Sequence, residues 1–161
     1  MLNKRPFYLL ALGLLLFAGT PLRAAEFSMT DTAGKAHTLS HYQGKWVLIN
    51  FWATWCPPCL EEIPELVDLH GNESGNVVVL GVAMDYRDGE DVKRFADSML
   101  VNYPVILGDR RLAAQVGPVQ GLPTTYLYNP QGRLVARQVG AITRAEIESF
   151  IRGTEKTTRK Q

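Results

Sequence analysis

Seven consecutive residues, Trp46-Val-Leu-Ile-Asn-Phe-Trp52, are almost all apolar and run nearly directly into Cys56-Pro-Pro-Cys59. The run is too continuous for a strand with one wet face, so it reads as a strand buried on both faces of a sheet. Leu60–His70 then has helical composition. Pro57 and Pro58 fit a first helical turn, where backbone N–H groups lack partners anyway. Cys56 is thereby placed where a buried strand ends and a helix begins. Pro64, inside that helix, predicts a kink.

Cys56 and Cys59 are the only cysteines in 161 residues. Two thiols cannot make a disulfide-dense scaffold or a four-cysteine zinc site. By spacing alone the pair is a redox couple, half of a metal site or an accident. A helix N-terminus carries partial positive charge and favours a thiolate, which gives Cys56 the field of a nucleophile. Cys59, one turn on, is placed as the resolving thiol. A purely structural pair would need burial, whereas Trp55 and the two prolines mark a surface corner; the redox reading is preferred. Pro57 and Pro58 have no N–H to offer a thiolate at Cys56, leaving chiefly that of Cys59. The thiolate is less stabilised for it, and a less stabilised reduced form means a lower, more reducing potential.

Around this core the pattern alternates. Phe27–Gly34 and Ala36–Leu39 read as a hairpin, and Ser40–Gly44 as a tight connection. Gly71–Asn76 is a loop, and Val77–Ala83 a second buried strand. Val92, Phe95, Ala96, Met99 and Leu100 have the spacing of an amphipathic helix. Pro104–Leu107 is a short strand and Arg111–Val116 a helical turn or two. Thr124–Tyr128 and Leu134–Val139 flank a turn at Asn129–Gly132. Thr143-Arg-Ala-Glu146 is a capping box, opening a helix that buries Ile147, Phe150 and Ile151. Residues 153–161 form a polar frayed tail. Strands alternating with helices define an α/β fold with a mixed sheet and its site at the strand ends.

The N-terminus reads as an address. Lys4 and Arg5 precede an apolar stretch, Phe7–Ala18, shorter than the roughly 20 residues of a bilayer span but suited to a signal peptide. Cleavage after Ala24 makes residues 1–24 the signal; an uncleaved anchor is the alternative. Removing Lys4, Arg5 and Arg23 from 17 Lys+Arg against 16 Asp+Glu turns a net charge of +1 into about −2. No basic field is left to argue for nucleic acid. Export also places the thiols in an oxidising compartment.

Phe51-Trp-Ala-Thr-Trp-Cys-Pro-Pro-Cys59 resembles the active site of the thioredoxin fold. Gly44-Lys-Trp-Val-Leu-Ile-Asn50, Glu61-Glu-Ile-Pro64, Gly81-Val-Ala-Met-Asp85 and Gly121-Leu-Pro-Thr-Thr-Tyr126 resemble the exported TlpA/ResA-type thiol–disulfide oxidoreductases. The resemblance spans residues 27–152, within a domain of 25–152. It implies a thioredoxin fold with an N-terminal β-hairpin and an inserted helix–strand unit at about Asp88–Leu107.

By position it makes Cys56 the attacking and Cys59 the resolving cysteine. It makes Pro123 the proline that follows a cis peptide bond beside them, turning the backbone of Leu122 toward the sulfurs. Thioredoxins carry a buried aspartate where this chain has Asn50, which cannot take a proton. Glu62, three residues after Cys59, matches the acidic residue of TlpA/ResA-type proteins and is the candidate acceptor of the Cys59 proton. Glu61 and Glu65 read as solvated. Trp52 belongs to the core; Trp55, Pro57, Pro58 and Leu122 form the rim. His37, His41 and His70 read as surface or loop residues.

The implied function is a periplasmic reductase of disulfides in exported client proteins, fed by a membrane thiol reductant. Apocytochrome c or copper-site thiols are possible clients. The protein is expected to be a monomer with no metal and no cofactor beyond the Cys56–Cys59 disulfide. A peroxiredoxin-type peroxidase would need its cysteine in a different setting. The alternative from another class is a Cu(I)-binding chaperone using the two thiolates, though such proteins use wider cysteine spacing and a distant histidine.

Overall fold

A computed structural model describes residues 26–72 and 76–158. The export signal expected over residues 1–24 lies outside them. Among the described residues, no helix is long and apolar enough to cross a membrane.

The chain opens with a two-stranded hairpin, β1 (Ser28–Thr30) and β2 (Ala36–Thr38), followed by a 3-10 turn at Leu39–Tyr42. β3 (Trp46–Trp52), α1 (Pro57–Gly71), β4 (Val77–Ala83), α2 (Gly89–Ser98) and β5 (Val105–Leu107) form two successive parallel crossovers. After α3 (Arg110–Val116), β6 (Thr124–Tyr128) and β7 (Leu134–Val139) return antiparallel, and α4 (Arg144–Thr158) ends the described chain. The main sheet has the order β5-β4-β3-β6-β7. This is the thioredoxin fold with its N-terminal hairpin. The hairpin is tied to the free edge of β5, where Thr32 N–H donates to the Val105 carbonyl at 2.8 Å.

β3 and β4 are buried at every position, as their unbroken apolar runs predict. Alternation sorts their side chains into layers. Val47, Ile49 and Phe51 pack with Leu80, Val82 and Tyr126 against the hairpin and α3. Trp46 and Leu48 pack on the other face with Leu66 and Leu69 of α1 and Ile147 and Ile151 of α4. A third cluster joins Trp52, Cys56, Cys59 and Ile63 to Val92 and Ala96 of α2. The site is therefore anchored to the core on its inner side.

Four expectations need correction. His37 is buried, 1% exposed, because β2 turns it to the same side as its register partner Met29. His70 is half-buried and accepts a hydrogen bond from Val79 N–H. Leu100 and Phe150 are exposed rather than core; α2 ends at Ser98, before Leu100. The polar segment begun at residue 153 is not frayed throughout, since α4 continues to Thr158. Pro64 lies within an α1 that runs unbroken from Pro57 to Gly71.

Candidate active site

Cys56 is the N-cap of α1, with extended backbone, and Pro57 and Pro58 occupy the first two helical positions. Its sulfur is joined to that of Cys59 in a disulfide. The corner is exposed at Trp55, Pro57 and Pro58, yet the sulfurs turn inward: Cys56 is 4% and Cys59 0% exposed. The Cys59 N–H, the donor that the prolines leave near Cys56, is engaged with the Cys56 carbonyl at 3.0 Å.

A groove of about 730 Å³ lies beside Cys56, walled by Trp55, Asp85, Arg110, Gln120 and Leu122. Trp55, 61% exposed, forms its rim; the indole N–H donates to the Asp85 carbonyl at 3.3 Å. Leu122 is half-buried, and the Leu122–Pro123 peptide bond is cis. Cys56, Trp55 and Leu122 thus meet at one groove, while Cys59 is enclosed behind them.

Behind the disulfide lies Glu62, 2% exposed. Being on α1, it meets the face of β3 that carries Leu48, Asn50 and Trp52. Asn50 Nδ2 donates to Glu62 Oε1 at 2.7 Å and to Thr125 Oγ1 at 3.1 Å. The Ile142 N–H donates to Glu62 Oε2 at 3.1 Å. Burial pushes the carboxyl up to about 7, against the pull of the Asn50 and Ile142 hydrogen bonds. Glu62 is therefore no solvated helix residue; it is a buried carboxyl pushed above the ordinary carboxyl range. Glu61 is exposed, but Glu65 is half-buried and accepts the Arg144 N–H at 2.9 Å, holding the start of α4.

Sequence reading missed the partners of Glu62. Asn50 is the one polar residue in an otherwise apolar, doubly buried strand, and such a residue demands a hydrogen-bond partner. That was the available signal. Thr125, its register partner on β6, needed the sheet order.

Residues 22–137 match the AhpC/TSA family. Thiol-disulfide oxidoreductase ResA of Bacillus subtilis (strain 168) is 36% identical over 132 residues, covering 80% of this chain and 72% of the relative. The thioredoxin-like protein YneN of the same organism is 32% identical over 130 residues, covering 78% and 75%. Among solved structures, a thiol:disulfide interchange protein of Chlorobium tepidum TLS superposes with TM-score 0.71 at 26% identity, covering 79% of this chain and 91% of that one. The exposed lipoprotein thioredoxin Etrx1 of Streptococcus pneumoniae strain TIGR4 does so with TM-score 0.68 at 28% identity, covering 80% and 98%. The chain belongs to the AhpC/TSA family and, within it, to the ResA-type thioredoxin-like thiol–disulfide oxidoreductases. Thiol–disulfide exchange with protein substrates is its activity.

Proposed function

We propose that the protein works as a reductase of disulfides in exported proteins, in the periplasm, with Cys56 as nucleophile and Cys59 as resolving thiol. The observation that carries this reading is the asymmetry of the pair: Cys56 borders the open groove, and Cys59 is sealed within the core on the helix that carries Glu62. In the reduced protein the Cys56 thiolate attacks one client sulfur. The client S–S bond breaks and its other sulfur leaves as a thiolate. The client segment lies in the groove between Trp55 and Leu122. Cys59 then gives its proton to Glu62 and attacks Cys56 in the mixed disulfide, releasing the second client thiolate. Two electrons have passed to the client and the protein is left as the Cys56–Cys59 disulfide. A membrane thiol reductant restores the dithiol.

The prolines at the helix start support the reducing direction, since they withhold the N–H groups that would stabilise a Cys56 thiolate. A reduction potential well below the roughly −120 mV of a strong periplasmic oxidant is expected. Apocytochrome c and copper-site cysteines are the client classes that the family resemblance favours. The test is a Cys59→Ala variant of the exported protein, which should accumulate mixed disulfides with clients through Cys56 and lose them in Cys56→Ser/Cys59→Ala. Thiol trapping should find the wild type mostly reduced, and oxidised when the membrane reductant is deleted. A pool that stays oxidised with the reductant present, or stoichiometric Cu(I) retention against a competitor, overturns the reading.

A further inference from the structure

Among the described residues, three buried side-chain polar atoms have no hydrogen-bond partner: Asn50 Oδ1, Trp52 Nε1 and the Tyr103 hydroxyl. They are not scattered. Asn50 and Trp52 are two residues apart on β3 and so share a face. Gly81 is the register partner of Asn50 on β4. A Cβ built on Gly81 would lie 2.7 Å from Tyr103 Cε2 and 3.2 Å from Trp52 Nε1. The tyrosine ring and the indole edge therefore meet over a glycine that alone leaves room for them.

Native cores rarely leave such groups unpaired, and Asn50 and Trp52 on one face of β3, with the Tyr103 ring across Gly81, are placed to share one partner. Trp52 Nε1 can only donate, Asn50 Oδ1 can only accept, and a tyrosine hydroxyl does either. That set is complementary to a single water, which typically makes about three bonds when buried. The other end of the Asn50 amide holds Glu62 Oε1 at 2.7 Å. Nδ2 also donates to Thr125 Oγ1 at 3.1 Å, but that hydroxyl can donate as well as accept, so the occupant of Oδ1 biases which end of the amide faces the carboxyl. With Nδ2 forward it favours the carboxylate; with Oδ1 forward it would accept from the protonated acid and favour that form instead.

We propose that Tyr103 is a positioning residue for the Glu62 proton: its hydroxyl, with the Trp52 N–H, holds a water on Asn50 Oδ1 and so keeps Asn50 Nδ2 turned to the carboxylate. The inference rests on the reading of Glu62 as the acceptor of the Cys59 proton. Among the described titratable groups, Tyr103 from the segment before β5 lies within the Glu62 field, the His70 ring of α1 meets the Tyr103 ring edge-on at 6.1 Å, and Cys59 lies one turn before Glu62 on α1. β3 and β6 face it with neutral Asn50 and Thr125, and the segment before α4 with a backbone N–H. Burial and then the Glu62 charge raise the Tyr103 pKa, which places the hydroxyl within the carboxylate's field as a neutral donor.

The test is Tyr103→Phe in the otherwise intact protein, alone and with Glu62→Gln. The readout is the pH profile of client-thiol release from the mixed disulfide. The limb governed by Glu62 should move up by about 0.5–1 pH unit in Tyr103→Phe, a three- to tenfold higher proton affinity, with the high-pH plateau unchanged. Glu62→Gln should abolish the limb, and adding Tyr103→Phe should then change nothing. Carbon NMR of the Glu62 carboxyl in the oxidised protein should show the same upward shift without any turnover, and Trp52→Phe should shift it in the same direction. A Tyr103→Phe profile and carboxyl titration that superpose on the wild type overturn the inference while leaving Glu62 as the base. A limb that survives in Glu62→Gln overturns the base assignment itself, and the inference with it.

Discussion

Among the described residues, the half-buried carboxyl of Asp31 and the buried carboxyl of Glu62 are built in opposite ways. In the N-terminal hairpin, Asp31 Oδ2 lies 2.8 Å from His37 Nε2, and the other ring nitrogen meets the Tyr42 hydroxyl. Asp31 Oδ1 also accepts the N–H groups of Ala33 and Lys35, each at 2.9 Å. Burial alone would raise its pKa, but the His37 bond and the backbone donors outweigh it, and the carboxyl is held below its ordinary value. Every polar group of this trio has a partner. Behind the disulfide, Glu62 has only two donors, burial prevails, and three neighbouring polar atoms have no partner within the protein. The first site has resolved its electrostatics in favour of the fold. The second keeps a carboxyl whose charged form burial disfavours, at a cost to stability.

The contrast is sharpest in Glu62→Gln. Client release at pH 8 should fall by about a hundredfold, the lower range for loss of an acid–base group, measured as decay of the mixed disulfide. The same variant should be more stable than the wild type at that pH. A carboxyl raised from its ordinary 4.5 to about 7 by folding contributes stability that is complete below about pH 4.5 and lost as pH rises through 7. Chemical denaturation from pH 4.5 to 8 should therefore show the wild type losing about 3 kcal/mol relative to Glu62→Gln. Asp31 has the reverse sign: its lowered pKa stabilises above the ordinary carboxyl range, and that contribution disappears as pH falls through the lowered value. A flat difference across neutral pH would erase the distinction between the two sites.

Much of the scaffold could be read from residues alone because the chain's own periodicity states it. Trp46–Trp52, Val77–Ala83, Thr124–Tyr128 and Leu134–Val139 take the strand limits expected of them, each bounded by turn residues or prolines. Cys56 at a strand-to-helix corner followed from local chemistry too. What escaped was pairwise. His37 carries no periodic signal in a three-residue strand, although its place opposite Met29 would have turned it inward. Glu62 was legible as a candidate, but its hydrogen-bond partners Asn50 and Ile142 lie 12 residues before it and 80 after it. Tyr103 reaches that cluster only through the β5-β4-β3 order and the gap at Gly81, neither of which local sequence encodes.

His37→Ala tests the hairpin site. It takes the partner from Asp31 Oδ2 and from the Tyr42 hydroxyl in a half-buried setting, and should destabilise by about 2 kcal/mol in urea denaturation. The exchange rate at 25 °C should stay within about twofold of wild type, because the groove is lined, and Glu62 is hydrogen-bonded, by residues outside the hairpin. A larger loss of rate in a fully folded variant would mean that the hairpin serves the site as well as the fold.

The smallest effect separates two tyrosines. Tyr42 is half-buried and Tyr103 buried, and both lose only an oxygen on substitution by Phe. The Tyr42 hydroxyl has a partner in His37, so Tyr42→Phe should leave a ring nitrogen unpaired and lower stability by about 1 kcal/mol, with an unmoved pH profile of exchange. The Tyr103 hydroxyl has no protein partner to strand, so Tyr103→Phe should change stability less than Tyr42→Phe does while moving the profile. If both variants lowered stability alike and neither moved the profile, the polar atoms around Gly81 would be ordinary packing, and the difference between the two carboxyl sites would reduce to depth of burial.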